Sequence, residues 1–200
     1  VRSISATQHD DPGFENQWNM RQIGAEEVWQ QDHTGETTIV AVVDTGVSEG
    51  GPDGVSITQG DHAGWDFVSN DGDPSDSHGH GTHVAGTVAQ NTGNGTGVTG
   101  VAHGAEIMAV RVLDANGSGY VSDVASGILW AADHGADVIN LSLGSSVGSQ
   151  AEQDAVTYAT EMGVLVVAAT GNEYQANGVS YPAAYPEVLA VGASNGIDEI

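Results

Sequence analysis

Short apolar runs rich in valine and isoleucine alternate along this chain with stretches that have helical spacing. The run Val164–Ala168 is apolar without a break, which is typical of a strand covered on both faces. Earlier in the chain, Val124, Ile128 and Ala132 recur at the spacing of one helix face. This alternation predicts an α/β fold, with a central, mostly parallel sheet and helices on both of its faces.

The predicted elements follow one another without a repeat or a long linker, so one domain is expected. Strands are expected at Thr38–Val43, Glu106–Val112, Asp137–Leu141, Val164–Ala168 and Val188–Val191. Helices are expected at His80–Gln90, Tyr120–His134 and Gln150–Glu161.

The charge balance excludes several classes of partner. The chain has 27 acidic residues against three arginines and no lysine, and its net charge is −24. Such a charge repels nucleic acids and anionic membrane surfaces, so neither is expected as a partner. Adaptation to high salt is the favoured interpretation, because salt screens the self-repulsion of an acidic surface. The absence of cysteine excludes disulfides and thiolate chemistry.

Polar residues follow several of the predicted strands at the point where each strand ends. Asp44 closes the first strand, Ser142 follows the strand that ends at Leu141, and Asn172 comes shortly after Ala168. The carboxyl ends of parallel strands share one edge of a sheet, and ligands collect there. These side chains are therefore predicted to lie along one edge, together with the helix that begins near His80.

Three histidines lie within six residues, as His78, His80 and His83. A first interpretation is a zinc site, because His-x-His-x-x-His occurs in some binuclear zinc hydrolases, although those usually carry an acid where Thr82 stands. A second is a structural role for all of them. A third makes His80 a general base at the start of a helix, oriented by Asp44, with His78 in the preceding loop and His83 turned toward packing.

Three segments together resemble the subtilisin-like serine proteases, nearest the thermitase and halolysin branch. They are Val42–Gly46, His80–Gly86 and Ala169–Asn172, and their order and spacing match three of the four signature segments of that family. The triplet Asp-Thr-Gly is weak alone, but the combination is very specific. The resemblance implies a three-layer subtilisin-like fold and a secreted endopeptidase, and it includes a cis-prolyl turn at Tyr181-Pro182.

The resemblance also implies a role for individual residues. Asp44 would hold the imidazole of His80, which would take the proton of a nucleophilic serine. Asn172 would donate its amide to the oxyanion of the intermediate. An extended peptide or protein substrate would lie between two backbone edges and against a pocket wall. The residues implied for this cleft are Gly117, Ser118, Gly119, Ser142, Leu143, Gly144, Ala169 and Gly171. Ser145 departs from the family, which commonly has glycine there.

Acid-rich loops resemble the structural calcium sites of the thermitase branch. One candidate site is formed by Asp66, Asp71 and Asp73, and the other by Asp11, Asp53 and Asn94. Short flexible segments that carry several oxygen ligands suit a hard cation such as Ca²⁺.

The family's fourth segment, Gly-Thr-Ser-Met-Ala or close to it, does not occur in these residues. We therefore expect residues 11–200 to be an incomplete catalytic domain of peptidase family S8, truncated at the C-terminus and inactive alone because its nucleophile lies beyond Ile200. Residues 1–10 resemble the end of an inhibitory propeptide or an N-terminal extension, and a monomer is expected. Two alternatives stay open, a metallohydrolase that uses the three histidines and a pseudo-protease that binds peptides without cutting them.

Overall fold

Six strands form one sheet in the computed structural model, which describes residues 10–172 and 178–197. In chain order the strands are β1 (Ile39–Asp44), β2 (Trp65–Asp66), β3 (Glu106–Arg111), β4 (Val138–Leu141), β5 (Leu165–Ala169) and β6 (Leu189–Val191). Their order across the sheet is β2-β3-β1-β4-β5-β6, and every neighbouring pair is parallel. The predicted parallel sheet is confirmed, with β1 near its centre.

Helices cover both faces of the sheet. The short helices α1 (Trp18–Gln22) and α2 (Ala25–Trp29) pack in a separate cluster, whereas α3 (His80–Ala89), α4 (Val121–Asp133) and α5 (Gln150–Glu161) cover the sheet. Successive residues of β1 point to opposite faces. Val40 and Val42 accordingly pack in one cluster with Ala85 of α3, whereas Ala41 and Val43 pack in another with α4 and α5. The three-layer α/β fold is confirmed. In the described part of the chain, no helix has the length and apolarity needed to cross a membrane.

The element boundaries differ from the prediction in ways that local chemistry explains. Tyr120 and Gln90 lie just outside their helices because their backbones are extended. Helix α5 begins and ends where the sequence predicts, since the Ser149 hydroxyl caps it by accepting the Glu152 N–H. Strand β2 was not predicted, because two residues are too short to show a periodic pattern.

A close approach between α3 and β1 brings the two predicted partners of the site together. A Cβ atom on Gly81 would lie 2.2 Å from the carbonyl oxygen of Gly46 and 3.1 Å from the Cβ of Asp44. Only glycine leaves room for this contact. The Gly81 N–H also donates to the Thr45 hydroxyl at 2.9 Å, so the first turn of α3 is fixed against the end of β1. His80, the first residue of α3, is thereby held beside Asp44.

Candidate active site

The centre of the site is a carboxylate and an imidazole in direct contact. Asp44 Oδ1 lies 2.7 Å from His80 Nδ1; the carboxylate is fully buried, and 46% of the histidine side chain is exposed. The Thr45 N–H also donates to Asp44 Oδ1 at 2.7 Å. The structure therefore brings together the two residues that the sequence predicts as base and orienter.

This contact determines what His80 can do. An ionised carboxylate only accepts hydrogen bonds, so it places the proton of a neutral imidazole on Nδ1 and leaves Nε2 as an acceptor. Asp44 Oδ2 is buried and has no hydrogen-bond partner within the described residues. His80 is also the only basic side chain that the described residues place against Asp44. The pair can thus take up a proton at Nε2, since the buried carboxylate stabilises the imidazolium that forms.

Asp76 fixes the loop that leads into α3, a role that the sequence did not reveal. Its Oδ1 accepts from the N–H groups of His78 and Gly79 and from the Thr45 hydroxyl, each at 2.9 Å. Its Oδ2 accepts from the N–H of Thr82 at 3.0 Å and from its hydroxyl at 2.6 Å. Partial burial alone would raise the pKa of Asp76, but these hydrogen bonds outweigh it and lower the pKa to about 2. The only sequence signal was an acid just before a helix start.

We expect Asp76→Asn to lower stability at neutral pH and to do so less as the pH falls. The pKa of Asp76 is lowered from 3.8 to about 2, so its carboxylate stabilises the fold above about pH 4, and this contribution disappears as the pH falls through 2. The loss at pH 7 should be about 1 kcal/mol, after allowance for solvent screening. Urea unfolding at pH 7, 4 and 2.5 measures it.

The matched control for Asp76→Asn is Glu187→Gln, which neutralises an exposed acid. Equal effects of Asp76→Asn at pH 7 and pH 2.5 would contradict the assigned role of the carboxylate.

A cleft of about 520 Å³ opens beside His80. Two loops line it, residues 116–119 and 142–145, together with His78. All six cleft residues predicted in these loops line it, namely Gly117, Ser118, Gly119, Ser142, Leu143 and Gly144. The other two predicted residues, Ala169 at the end of β5 and Gly171 just after it, are described by the structure but do not line this cleft.

Ser145, which stands where the family commonly has glycine, is held in place by backbone hydrogen bonds. Its N–H donates to the Tyr181 carbonyl and its carbonyl accepts from the Tyr181 N–H, both at 2.9 Å. The Tyr181–Pro182 peptide is cis, as the resemblance implies. The bridge fixes the loop that carries residues 142–144, so this wall of the cleft is rigid at its outer end.

Asn172 follows β5 and lies at the same edge of the sheet as Asp44. Two strand positions separate them, because β4 lies between β1 and β5. The Asn172 side chain is exposed. The predicted orienter and amide therefore both occur at the carboxyl ends of parallel strands, and the predicted base lies beside the orienter at the start of α3.

Comparison with known proteins identifies the family. Residues 35–198 match the family model Peptidase S8, described as the subtilase family. The match includes Asp44, His80, Asn172 and both cleft loops. The chain belongs to the subtilase family. The family predicted from three short segments is thereby confirmed.

Curated relatives of this subtilase are proteases from bacilli and related bacteria. It is 46% identical over 187 residues to thermitase of Thermoactinomyces vulgaris, and this match covers 93% of the chain and 65% of the relative. It is 49% identical over 166 residues to a thermophilic serine proteinase of Bacillus sp. (strain AK1), and this match covers 80% of the chain and 39% of the relative. It is 42% identical over 179 residues to the minor extracellular protease Epr of Bacillus subtilis (strain 168), and this match covers 90% of the chain and 27% of the relative. The chain thus spans 65% or less of the length of these relatives.

The three histidines of this subtilase do not converge on one point. The rings of His78 and His80 are 6.3 Å apart, and His80 Nδ1 is occupied by Asp44. His83 is exposed, so the prediction that it turns toward packing is wrong. The buried face of α3 is instead the small-residue face that contains Gly81 and Ala85. Within the described residues, no three His, Cys, Asp or Glu side chains are placed to hold a metal ion.

The structure brings together the residues of one predicted calcium site. Asp11 accepts from the Thr92 hydroxyl and the Gly93 N–H through Oδ2, and from the Asn94 N–H through Oδ1. The Asn94 side-chain amide donates to Asp53 Oδ1 at 3.1 Å. Partial burial would raise the pKa of Asp11, but these hydrogen bonds lower it overall, so the carboxylate stays charged. Oxygen-bearing groups far apart in sequence therefore meet at one place.

The other predicted calcium loop has a different explanation in this subtilase. Asp66 is buried and pairs with Arg111, with Oδ2 2.7 Å from Nη1, while its Oδ1 accepts backbone N–H groups of its own loop. Asp71 and Asp73 are exposed and accept from residues of the same loop. The guanidinium already neutralises Asp66, so this loop fits a cation less well than the first site. Spacing along the loop did not reveal the contact with Arg111.

Proposed function

We propose that this protein is a serine-type endopeptidase. The observation that carries the proposal is the buried Asp44 carboxylate, 2.7 Å from His80 beside a cleft that two loops line. In the proposed reaction, His80 Nε2 takes the proton of a serine hydroxyl as that oxygen attacks the peptide carbonyl, and later gives it to the leaving amine. Asn172 donates its amide to the oxyanion. The nucleophile is assigned to none of these 200 residues, because no serine among them stands in Gly-Thr-Ser-Met-Ala.

The proposed substrates are extended peptides and unfolded protein segments. Residues 117–119 and 142–144 both line the cleft beside His80. Two such edges suit a peptide that binds as an additional strand, with main-chain hydrogen bonds for affinity and side-chain pockets for specificity.

The experiment uses the product of the complete coding sequence and a serine-directed phosphonyl reagent. We expect covalent labelling and loss of peptide hydrolysis, and we expect His80→Ala to abolish both. Hydrolysis that resists the reagent but is lost on zinc chelation would instead support the metallohydrolase. Peptide binding without labelling or hydrolysis would support the pseudo-protease.

We further propose that Asp11, Asp53 and Asn94 hold a structural Ca²⁺ ion. The carboxylates of Asp11 and Asp53 both accept hydrogen bonds from Asn94, so they border the same loop, and carboxylate oxygens are ligands that calcium prefers. The ion would join the N-terminal segment to the loop 91–97, beside the sheet and away from the reacting atoms.

We expect removal of calcium by a chelator to lower the melting temperature by about 5–10 °C, because an ion that binds only the folded state stabilises it by mass action. Asp53→Asn should remove most of this response. Asp71→Asn is the matched control, since it neutralises an acid of the other loop and should leave the response intact. A response lost in Asp71→Asn and kept in Asp53→Asn would transfer the site to that loop.

The proposal also includes an extracellular location, a monomeric state and function in high salt. The name of the relative Epr, a minor extracellular protease, supports the location. The net charge of −24 supports function at high ionic strength, where an acidic surface repels itself less.

A further inference from the structure

Glu152 is a buried acid inside α5 that the proposed reaction does not use. It lies on the inward face of the helix with Ala155, Val156 and Ala159, and only 3% of its surface is exposed. The other three residues of this face are apolar and belong to the core. A carboxyl group at such a position is costly unless another group compensates it.

Helix capping does not explain Glu152. The spacing Ser149-x-x-Glu152 is that of a capping box, in which the glutamate would accept the backbone N–H of the serine. The serine half is formed, because the Ser149 hydroxyl accepts the Glu152 N–H at 3.1 Å. The Ser149 N–H, however, donates to the Tyr185 hydroxyl at 2.9 Å. The Glu152 carboxyl group therefore makes no capping hydrogen bond with the Ser149 N–H.

The partners of the Glu152 carboxyl are few. The Tyr185 hydroxyl lies 3.0 Å from Oε2 and 2.9 Å from the carbonyl oxygen of Ser149, and its single proton must serve one or the other. Burial raises the pKa of Tyr185 to about 12, so the hydroxyl keeps that proton. Burial likewise raises the pKa of Glu152, and the hydrogen bond from Tyr185 offsets this only in part.

No cation of the described chain pairs with Glu152. The whole sequence has three arginines and no lysine, and Arg111 is committed to Asp66. The described residues therefore leave this carboxyl free to pair with a cation that a ligand brings.

Glu152 lines the same cleft as His80. The lining of this cleft also includes the apolar side chains of Val121, Val124 and Leu143. An apolar wall with one carboxyl matches a side chain that has a long hydrocarbon stem and a charged end, as lysine and arginine have.

We propose that Glu152 is a specificity-determining residue that receives a lysine or arginine side chain of the bound peptide. The proposal rests on the proposed function only in requiring that a peptide occupies the cleft. An incoming ammonium or guanidinium group donates to the carboxyl that Tyr185 leaves partly unpartnered, while the hydrocarbon stem packs on the apolar wall. Norleucine, which has the same stem without the charge, leaves the carboxyl unpaired.

The test compares peptides that carry lysine or norleucine at one position at a time. Two measurements use the product of the complete coding sequence: kcat/KM of the active protein, and binding to a His80→Ala background in which the peptide survives. At one peptide position we expect lysine to be favoured by about tenfold or more, the usual scale of a charge-assisted hydrogen bond. Glu152→Gln keeps the size and the contact with Tyr185 and should bring the ratio close to one.

Two further variants make the result specific. Glu152→Leu should reverse the preference toward norleucine, and Glu161→Gln, an exposed acid at the other end of α5, should leave it unchanged. Melting temperatures confirm that each variant is folded. If Glu152→Leu does not fold, the result for Glu152→Gln decides the outcome.

The outcomes separate this inference from the proposed function. Hydrolysis with equal use of lysine and norleucine, or with a preference that survives Glu152→Gln, overturns the role of Glu152 and leaves the endopeptidase intact. Binding that prefers lysine and depends on Glu152, in a protein that hydrolyses nothing, supports the role of Glu152 and overturns the endopeptidase.

Discussion

In the product of the complete coding sequence, Asp44→Asn should lower kcat for peptide hydrolysis by about 10⁴-fold and leave KM nearly unchanged. The asparagine keeps the shape of the side chain, but its amide can donate to Nδ1 and so favours the tautomer with the proton on Nε2. His80 would then present a proton where it must accept one. It would also lose the buried charge that stabilises its imidazolium, since Asp44 lies 2.7 Å away and fully buried. Initial rates on a peptide substrate over a range of concentrations measure both constants.

The control for Asp44→Asn is Asp154→Asn, an exposed neutralisation on α5 that should not change kcat. The double variant Asp44→Asn/His80→Ala tests whether the two residues act as a unit. Residues that do so give strongly non-additive losses, so the double variant should be about as slow as the slower single one. Multiplicative losses, or an Asp44→Asn protein that retains its rate, would contradict a shared role.

The sequence predicted the centre of the site well because both residues stand at the ends of regular elements. Asp44 ends a strand whose apolar run is visible in the sequence, and His80 opens a helix that glycines allow to approach that strand. Both positions follow from local patterns together with the rule that parallel strands end at one edge.

Residues that act through several distant segments were not predictable. Asp76 accepts hydrogen bonds from the residue that follows β1, from the loop that leads into α3 and from the first turn of α3. Nothing in its neighbouring sequence separates it from other surface acids. Arg111 ends β3 and meets Asp66 only because β2 pairs with β3. Glu152 has the spacing of a capping-box residue, but Tyr185 takes the N–H that it would accept there. In each case the fold decides the partner.

Strand order limited the prediction of the cleft. Residues 142–144 follow β4, which pairs directly with β1, and they line the cleft beside His80. Ala169 and Gly171 follow β5, one strand further away, and lie outside that lining. The order of strands across a sheet is a tertiary property, so the resemblance did not separate these residues from the two loops, and their role as a pocket wall stays a prediction.

Asn172→Ala should lower kcat by about 10²–10³-fold with little change in KM, the usual cost of losing one donor to an oxyanion. Asn172 is exposed and follows β5 at the same edge of the sheet as Asp44, where a side-chain amide can face a reacting carbonyl. The negative charge on that oxygen develops only in the transition state, so the donor should act on kcat rather than on binding. Steady-state kinetics at saturating peptide measures the effect.

Asn172→Asp sharpens the test because it keeps the size of the side chain, removes the amide donor and adds a negative charge. It should be slower than Asn172→Ala, since the carboxylate repels the developing oxyanion. A purely structural role predicts a different pattern, in which both variants lose thermal stability and kcat falls in proportion to the folded fraction. An Asn172→Ala protein that melts like the wild type and turns over as fast would remove Asn172 from the proposed reaction.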